Sequence, residues 1–305
     1  MKRFLPVLLF FVCTVSSVLY AGSGTTFASF MKLPLGNRAA AMGRSYTALS
    51  EGPASLYWNP AGLAKGVFNE GRLAYSRWIE GIYYGYAGYR HSVKYGGIGL
   101  SVLYLDSGSI PKRGNGREEL GTDYSLNDIS VDAGFGMKIT EGLNAGIAVK
   151  YFGESADTET AYGFSGGLGI QYMKRYGQHY LNTGMSLMNL GQDSGYDEKF
   201  PLPAVLRIGI GDELMSGRIY GAAELDYYLN ETEIVGGVGM ELRATPFLDL
   251  RCGYRFGYED IDIPYGLTAG FGLKYVENVE YIFDYSIGSL GDLGFINRLG
   301  MGIRF

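Results

Sequence analysis

The sequence predicts an all-β fold: a 14-stranded antiparallel transmembrane β-barrel with a small N-terminal plug. Three observations predict it. From Asn69 to Phe305, apolar side chains alternate with Gly, small or charged ones at the two-residue period of a strand. One face of each strand is apolar while the other carries Gly and charge, as suits lipid outside and a wet or plugged lumen inside. The connections fall into a short set and a longer set, the asymmetry of outer-membrane barrels.

Composition agrees. The 305 residues include 48 Gly and 26 Tyr, and only 19% are charged, against about a quarter in soluble domains. The net charge is −5, with no Lys/Arg cluster, which excludes a nucleic-acid surface.

Residues 1–21 read as a secretory signal. Lys2 and Arg3 precede the apolar run Phe4–Val18, with cleavage expected after Ala21, although Leu19 is large for the −3 position. Cys13 would leave with the signal. Cys252 then stands alone, expected to face lipid or packing, and no intrachain disulfide is possible.

Residues 22–68 form the expected plug. They lack the period of two, are rich in Ala, and carry turns at Gly52-Pro53 and Asn59-Pro60. A short helix is expected after Asn37 as its cap, interrupted at Gly43.

Residues 69–305 form the barrel. Strands are expected near 70–79, 82–91, 95–106, 124–139, 142–153, 160–173, 179–190, 202–213, 217–229, 231–243, 246–257, 263–276, 278–288 and 293–305. The last strand shows the alternation best: Leu299, Met301, Ile303 and Phe305 on one face, Arg298, Gly300, Gly302 and Arg304 on the other. If the chain starts on the periplasmic side, that side receives the short turns at His91–Lys94, Thr140–Glu141, Lys174–Gln178, Leu214–Ser216, Ala244–Thr245 and Glu277. The opposite side receives Ser107–Asp123, Glu154–Glu159, Gly191–Pro201, Tyr258–Asp262 and Ser289–Asp292, with short exceptions at Glu80 and Asn230. A signal peptide, a barrel and a terminal Phe305 place the protein in the bacterial outer membrane, with its lipids as neighbours.

Nothing in the sequence marks an enzyme. The clusters Gly96–Gly99, Gly166–Gly169 and Gly236–Gly239 lie inside strands with no helix following, unlike a dinucleotide fingerprint. They give the barrel room for its plug. His91 and His179 are expected in turns, without the three or four convergent ligands a metal needs. Asp260 and Asp262 read as solvated loop acids, and no G-x-S-x-G elbow occurs. No cofactor, metal or catalytic group is expected.

The alternation aims Lys150, Glu224, Asp226, Glu241, Arg251, Arg255, Asp284, Arg298 and Arg304 into the lumen. Charges there require partners or water. They are expected to pair with one another and with the plug; the sharper alternative is that some hold the plug releasably.

The most informative motif is Tyr57-Trp58-Asn59-Pro60-Ala61-Gly62. Pro60 fixes its own φ and pushes Asn59 out of the helical region. Asn59 can then bond locally, Gly62 is expected to allow a tight approach to the wall, and Tyr57 and Trp58 to wedge against the barrel. The stretch Leu56–Leu63 resembles the Asn-Pro-Ala plug motif of the FadL family of long-chain fatty-acid and hydrocarbon channels. Gly36–Ala64, Met188–Gly211, Arg251–Gly257 and Tyr281–Phe305 together resemble its PorV/PorQ branch. The resemblance implies a FadL-like barrel with an N-terminal hatch. Through the PorV/PorQ branch it implies a component of protein secretion or surface assembly of the type IX kind, with secretion-system or cargo proteins as partners. Through the channel branch it implies passage of hydrophobic small molecules; a purely structural outer-membrane protein is the remaining reading. The channel reading predicts a continuous apolar pocket beside Tyr57–Leu63 and a kinked strand at Gly96–Gly99. The secretion reading predicts a blocked lumen and docking loops at Ser107–Asp123 and Gly191–Pro201.

Overall fold

A computed structural model describes residues 25–78, 81–113, 119–177, 179–257 and 265–305. The expected signal segment 1–21 with Cys13, residues 22–24 of the expected plug, and Asp260 and Asp262 lie outside the described residues.

Alternating sequence becomes strand throughout the barrel. The strands are β1 (Glu70–Arg77), β2 (Tyr83–Val93), β3 (Gly96–Asp106), β4 (Ile110–Arg113), β5 (Glu119–Tyr124), β6 (Leu126–Thr140), β7 (Leu143–Ala156) and β8 (Glu159–Tyr176). They continue with β9 (His179–Gly191), β10 (Val205–Leu214), β11 (Ile219–Tyr228), β12 (Glu233–Thr245), β13 (Leu248–Phe256), β14 (Leu267–Val276), β15 (Glu280–Ser289) and β16 (Phe295–Arg304). All except β4 and β5 form one closed antiparallel barrel, sealed where Glu70–Arg77 pairs with Asn297–Arg304. Closure leaves no unpaired edge, the condition for crossing lipid with strands. The expected 14-stranded count is therefore what forms.

The pleat sets the two faces. Leu73, Leu100, Ile147, Val149 and Met301 are half or more exposed on the outside, while Arg251, Asp284 and Arg298 are buried inside. This inverts a soluble protein and matches a lipid-facing band. Aromatic rings cluster toward both rims: Tyr151 stacks on Tyr162 at 6.0 Å near the long loops, and Tyr275 on Tyr281 at 6.4 Å near the short turns. Cys252 is exposed on the outer face.

Four expectations change. β4 and β5 pair as a separate antiparallel two-stranded sheet in the stretch expected to be the loop Ser107–Asp123. His91 lies within β2 and His179 opens β9, so neither is a turn residue. The helix runs Asn37–Ala41 (α1) with Gly36 in the capping position, so Asn37 is not its cap. Its amide donates instead to the Asp284 carbonyl at 2.9 Å. Finally, β3 pairs without a break along both neighbours, so Gly96–Gly99 is no kink. The plug fills the space these glycines leave: a Cβ on Gly97 would lie 2.3 Å from the Leu63 carbonyl oxygen. A break in register lies elsewhere, between Gly166 and Leu168 on β8. There Met188 and Asn189 of β9 bulge, with Asn189 at φ 59°.

Inside the barrel, residues 25–68 run from an arm through α1 to a second short helix, α2 (Ser55–Trp58), and a 3₁₀ turn, Pro60–Ala64. No helix among the described residues is long and apolar enough to cross a membrane.

Candidate functional site: the plug and the lumen

The Asn-Pro turn is the plug's anchor. Asn59 is extended (φ −164°), as a residue before proline must be. It is fully buried. Its Oδ1 accepts from Ala61 N at 3.1 Å, capping the 3₁₀ turn, and its Nδ2 donates to the Ile170 carbonyl of β8 at 2.9 Å. One amide thus satisfies the turn and ties it to the wall. Gly146 of β7 permits this contact, since a Cβ there would lie 2.3 Å from the Pro60 carbonyl carbon. Gly62 does not face the wall as expected. Its close neighbours are Ser50 and Ser55 of the plug itself, each 2.4 Å from where a Cβ would sit.

Tyr57 and Trp58 meet edge to face at 4.8 Å, buried in the lumen. The Arg207 guanidinium of β10 lies over both rings, at 4.8 and 5.3 Å, and donates to the Tyr57 carbonyl at 3.0 Å. Trp58 Nε1 donates to the Leu35 carbonyl at 2.8 Å. Ala61 is fully buried beside them.

All nine lumen charges named from the sequence project inward, in four settings. Glu241, Arg251, Asp284 and Arg304 belong to a closed ring near the short turns. Its links run Arg38–Glu241 (2.8 Å), Glu241–Arg251 (2.6 Å), Arg251–Asp284 (2.5 Å) and Asp284–Arg72 (2.8 Å). From Arg72 it passes to Glu70, then Glu70–Arg304 (2.7 Å), Arg304–Glu51 (3.6 Å) and Glu51–Arg38 (3.2 Å). Arg38 and Glu51 come from the plug and the other six from the wall. Glu224 instead grips the plug backbone, accepting from Tyr46 N at 2.7 Å, Thr47 N at 2.6 Å and Thr47 Oγ1 at 2.9 Å. Beside it Asp226 lies 3.8 Å from Arg207 and 4.0 Å from Arg255. Lys150 is 3.4 Å from Asp132. Among the described residues Arg298 meets a tyrosine hydroxyl, at 3.1 Å, and no carboxylate.

The alternation that found these charges also contained Glu70, Arg72, Arg207 and Gln171, which sequence reasoning passed over. Arg38 and Glu51 had no such signal, because the plug has no period.

Two compartments result. Near the short turns lies a polar cavity of about 360 Å³, lined by the ring together with Lys65, Lys274 and Asp249. Burial pulls the Lys65 ammonium down to about 8, with Glu51 opposing. Near the long loops the lumen is apolar and filled by the arm: Phe27, Phe30, Met31, Leu33 and Leu35 pack on wall residues including Leu103, Leu105 and Phe152. Tyr196 of the 192–204 loop meets Phe27 edge-on at 5.7 Å. The arm is tethered through Lys32, 2.6 Å from Glu231, which also accepts from Thr26. Where a continuous apolar pocket was expected beside Tyr57–Leu63, the described residues are buried and packed, and the arm occupies the apolar space above them.

No family model matches the sequence, and no curated protein matches it. Solved structures do. The Pseudomonas putida toluene transporter TodX superposes with a TM-score of 0.61 at 15% identity, covering 88% of this chain and 96% of that one. The Ralstonia pickettii toluene transporter TbuX gives 0.61 at 15%, covering 88% and 97%. A Pseudomonas aeruginosa FadL homologue gives 0.51 at 10%, covering 88% and 96%. At such identities the likeness establishes the fold, a FadL-type plugged barrel, and this chain spans nearly the whole of each.

Proposed function

We infer that this protein is an outer-membrane channel for hydrophobic small molecules, closed in this conformation by its own N-terminal segment. The observation that carries this is the apolar compartment near the long loops. A lumen built only to be blocked has no need of an apolar chamber. Here the arm fills that chamber with side chains and is held at its polar edge by Glu231. FadL-type neighbours described as toluene transporters support the same reading, and it displaces secretion from first place.

The ionic ring suits a plug that detaches. Breaking Arg38–Glu241 and Arg304–Glu51 would leave Arg38 paired with Glu51 on the plug. On the wall Glu241, Arg251, Asp284, Arg72, Glu70 and Arg304 would remain paired along their chain. Neither side is left with net charge, which avoids the large penalty of an uncompensated buried ion. The signal segment and the outer-membrane location belong to this proposal.

Purification in mild detergent followed by mass spectrometry of bound small molecules tests it. A bound hydrophobe, recovered in greater amount when Phe27 and Phe30 are changed to Asp and the arm leaves the chamber, is the expected result. A co-purifying secreted protein with no bound hydrophobe would overturn the channel in favour of secretion.

A further inference from the structure

On the short-turn rim from β12 to β16, cations are neutralised within the chain. Lys274 and Arg243 face Asp249, and Arg304 faces Glu70 and Glu280. The arc from β2 to β9 differs. Its three turns, at 91–95, 138–142 and 174–179, carry Lys94, Lys138, Lys174 and Arg175 against one carboxylate, Glu141. All four cations are exposed, and among the described residues none has a carboxylate within ion-pair distance. Their partners are rings instead. Lys94 Nζ lies 5.1 Å from the Tyr95 ring centroid, Lys174 Nζ 5.1 Å from that of Tyr176, and the Arg175 guanidinium 5.6 Å from that of Tyr180. Arg175 also donates to the Gly177 carbonyl at 3.0 Å.

Backbone pairing joins the three turns into one arc. Lys138 N donates to the Tyr95 carbonyl at 2.9 Å, which sets the first turn beside the second. Met173 N donates to the Gly142 carbonyl at 2.8 Å, which sets the second beside Lys174. The depth is given by β8. Tyr162, near the long loops, and Tyr172 are both exposed on its outer face, ten residues apart. A tilted strand crosses the hydrocarbon in about 9–11 residues. Lys174 and Arg175 therefore follow just past the apolar band, at the depth of lipid headgroups. Toward the middle of that band the outer face carries Ile98, Met137 and Ile170, all exposed. Unpaired cations at the end of an apolar strip match an amphiphile with an anionic head and acyl chains.

We propose that Lys94, Lys138, Lys174 and Arg175 hold the headgroup of an anionic phospholipid in the leaflet that faces the short turns, with its acyl chains along Ile98, Met137 and Ile170. Lysine stems stay on the apolar wall while their ammonium groups reach the phosphates. Each cation near the surface is worth about 5-fold in affinity for anionic lipid. Lys138 on β6 and Lys174 on β8 lie two strand spacings apart, about 10 Å. A lipid with two phosphates therefore engages the whole arc, and one with a single phosphate engages half of it. A zwitterionic head leaves the excess positive charge uncompensated. The site lies on the outer wall. It rests on the barrel's membrane setting and is independent of what the lumen passes.

Native mass spectrometry of the full chain tests the arc, with protein delipidated in nonionic detergent and titrated with phosphatidylethanolamine, phosphatidylglycerol and diphosphatidylglycerol. The expected order of affinity is diphosphatidylglycerol, then phosphatidylglycerol, then phosphatidylethanolamine. Lys94→Gln, Lys138→Gln and Lys174→Gln are each expected to weaken diphosphatidylglycerol about 5-fold, and phosphatidylethanolamine less than about 2-fold. Lys94→Arg, Lys138→Arg and Lys174→Arg together keep the charge and are expected to keep the affinity. Heat-shifted gel mobility checks that each variant is a closed barrel. Arg113→Gln with Lys199→Gln removes two exposed charges from the long-loop rim and is the control for net charge. An equal loss in that control would overturn the site, and so would equal binding of phosphatidylethanolamine. Co-sedimentation with isolated peptidoglycan that depends on the three lysines, without preference for anionic lipid, would assign the arc to the cell wall and overturn the lipid reading.

Discussion

Asn59 concentrates the plug's docking in one amide. Asn59→Ala leaves the Ala61 N–H and the Ile170 carbonyl without this partner, at a cost of about 1–3 kcal/mol. Hydrogen exchange should show the turn 60–64 losing protection while the barrel strands keep theirs. Glu51 supplies a pH response. Burial alone would push its carboxyl up, but Arg38, then Arg304 and Lys65, outweigh burial and hold it below the usual range. A carboxyl depressed on folding contributes stability that is present in full above its ordinary value of 4.5 and is lost as pH falls through the folded value. Plug docking should therefore weaken in acid, and Glu51→Gln should flatten that dependence when exchange in 37–51 is followed against pH.

At the scale of elements, the arm and the plug behave as separable pieces. The arm is fixed at its polar edge by Glu231, whose side chain is fully buried against Lys32. Glu231→Gln removes the charge that holds Lys32 and Thr26, and should loosen the arm without opening the ring. Binding of a hydrophobic fluorescent dye to purified barrels is expected to rise several-fold. Unchanged dye binding would show that the arm does not guard the chamber. What the sequence revealed follows from the same division. Alternation in β16 or β13 exposes both faces of a strand, so the barrel and its inward charges were legible residue by residue. The plug follows no period, and its contacts join residues far apart in the chain, as Arg38 joins Glu241. Its anchor at Asn59 was readable only because Pro60 restricts its neighbour. The absence of a kink at Gly96–Gly99 was hidden because glycine inside a strand serves equally for bending and for contact with a plug.

The whole molecule is a closed wall with a polar chamber near one rim, an apolar chamber near the other, and one continuous segment, residues 25–68, plugging both. In the proposed channel, passage requires that segment to move. A cystine formed from Ala41→Cys with Gly270→Cys would hold it, since a Cβ on Gly270 falls 2.8 Å from that of Ala41 and a modest backbone shift brings the pair to disulfide spacing. Replacing the exposed Cys252 by Ser avoids mispairing. The most direct measurement is uptake of radiolabelled toluene by vesicles carrying this triple variant, before and after reduction. Uptake that is near the empty-vesicle level when oxidised and restored by reductant is the result the account predicts. Equal uptake in both states, or none in either, would contradict a channel gated by its own N-terminal segment.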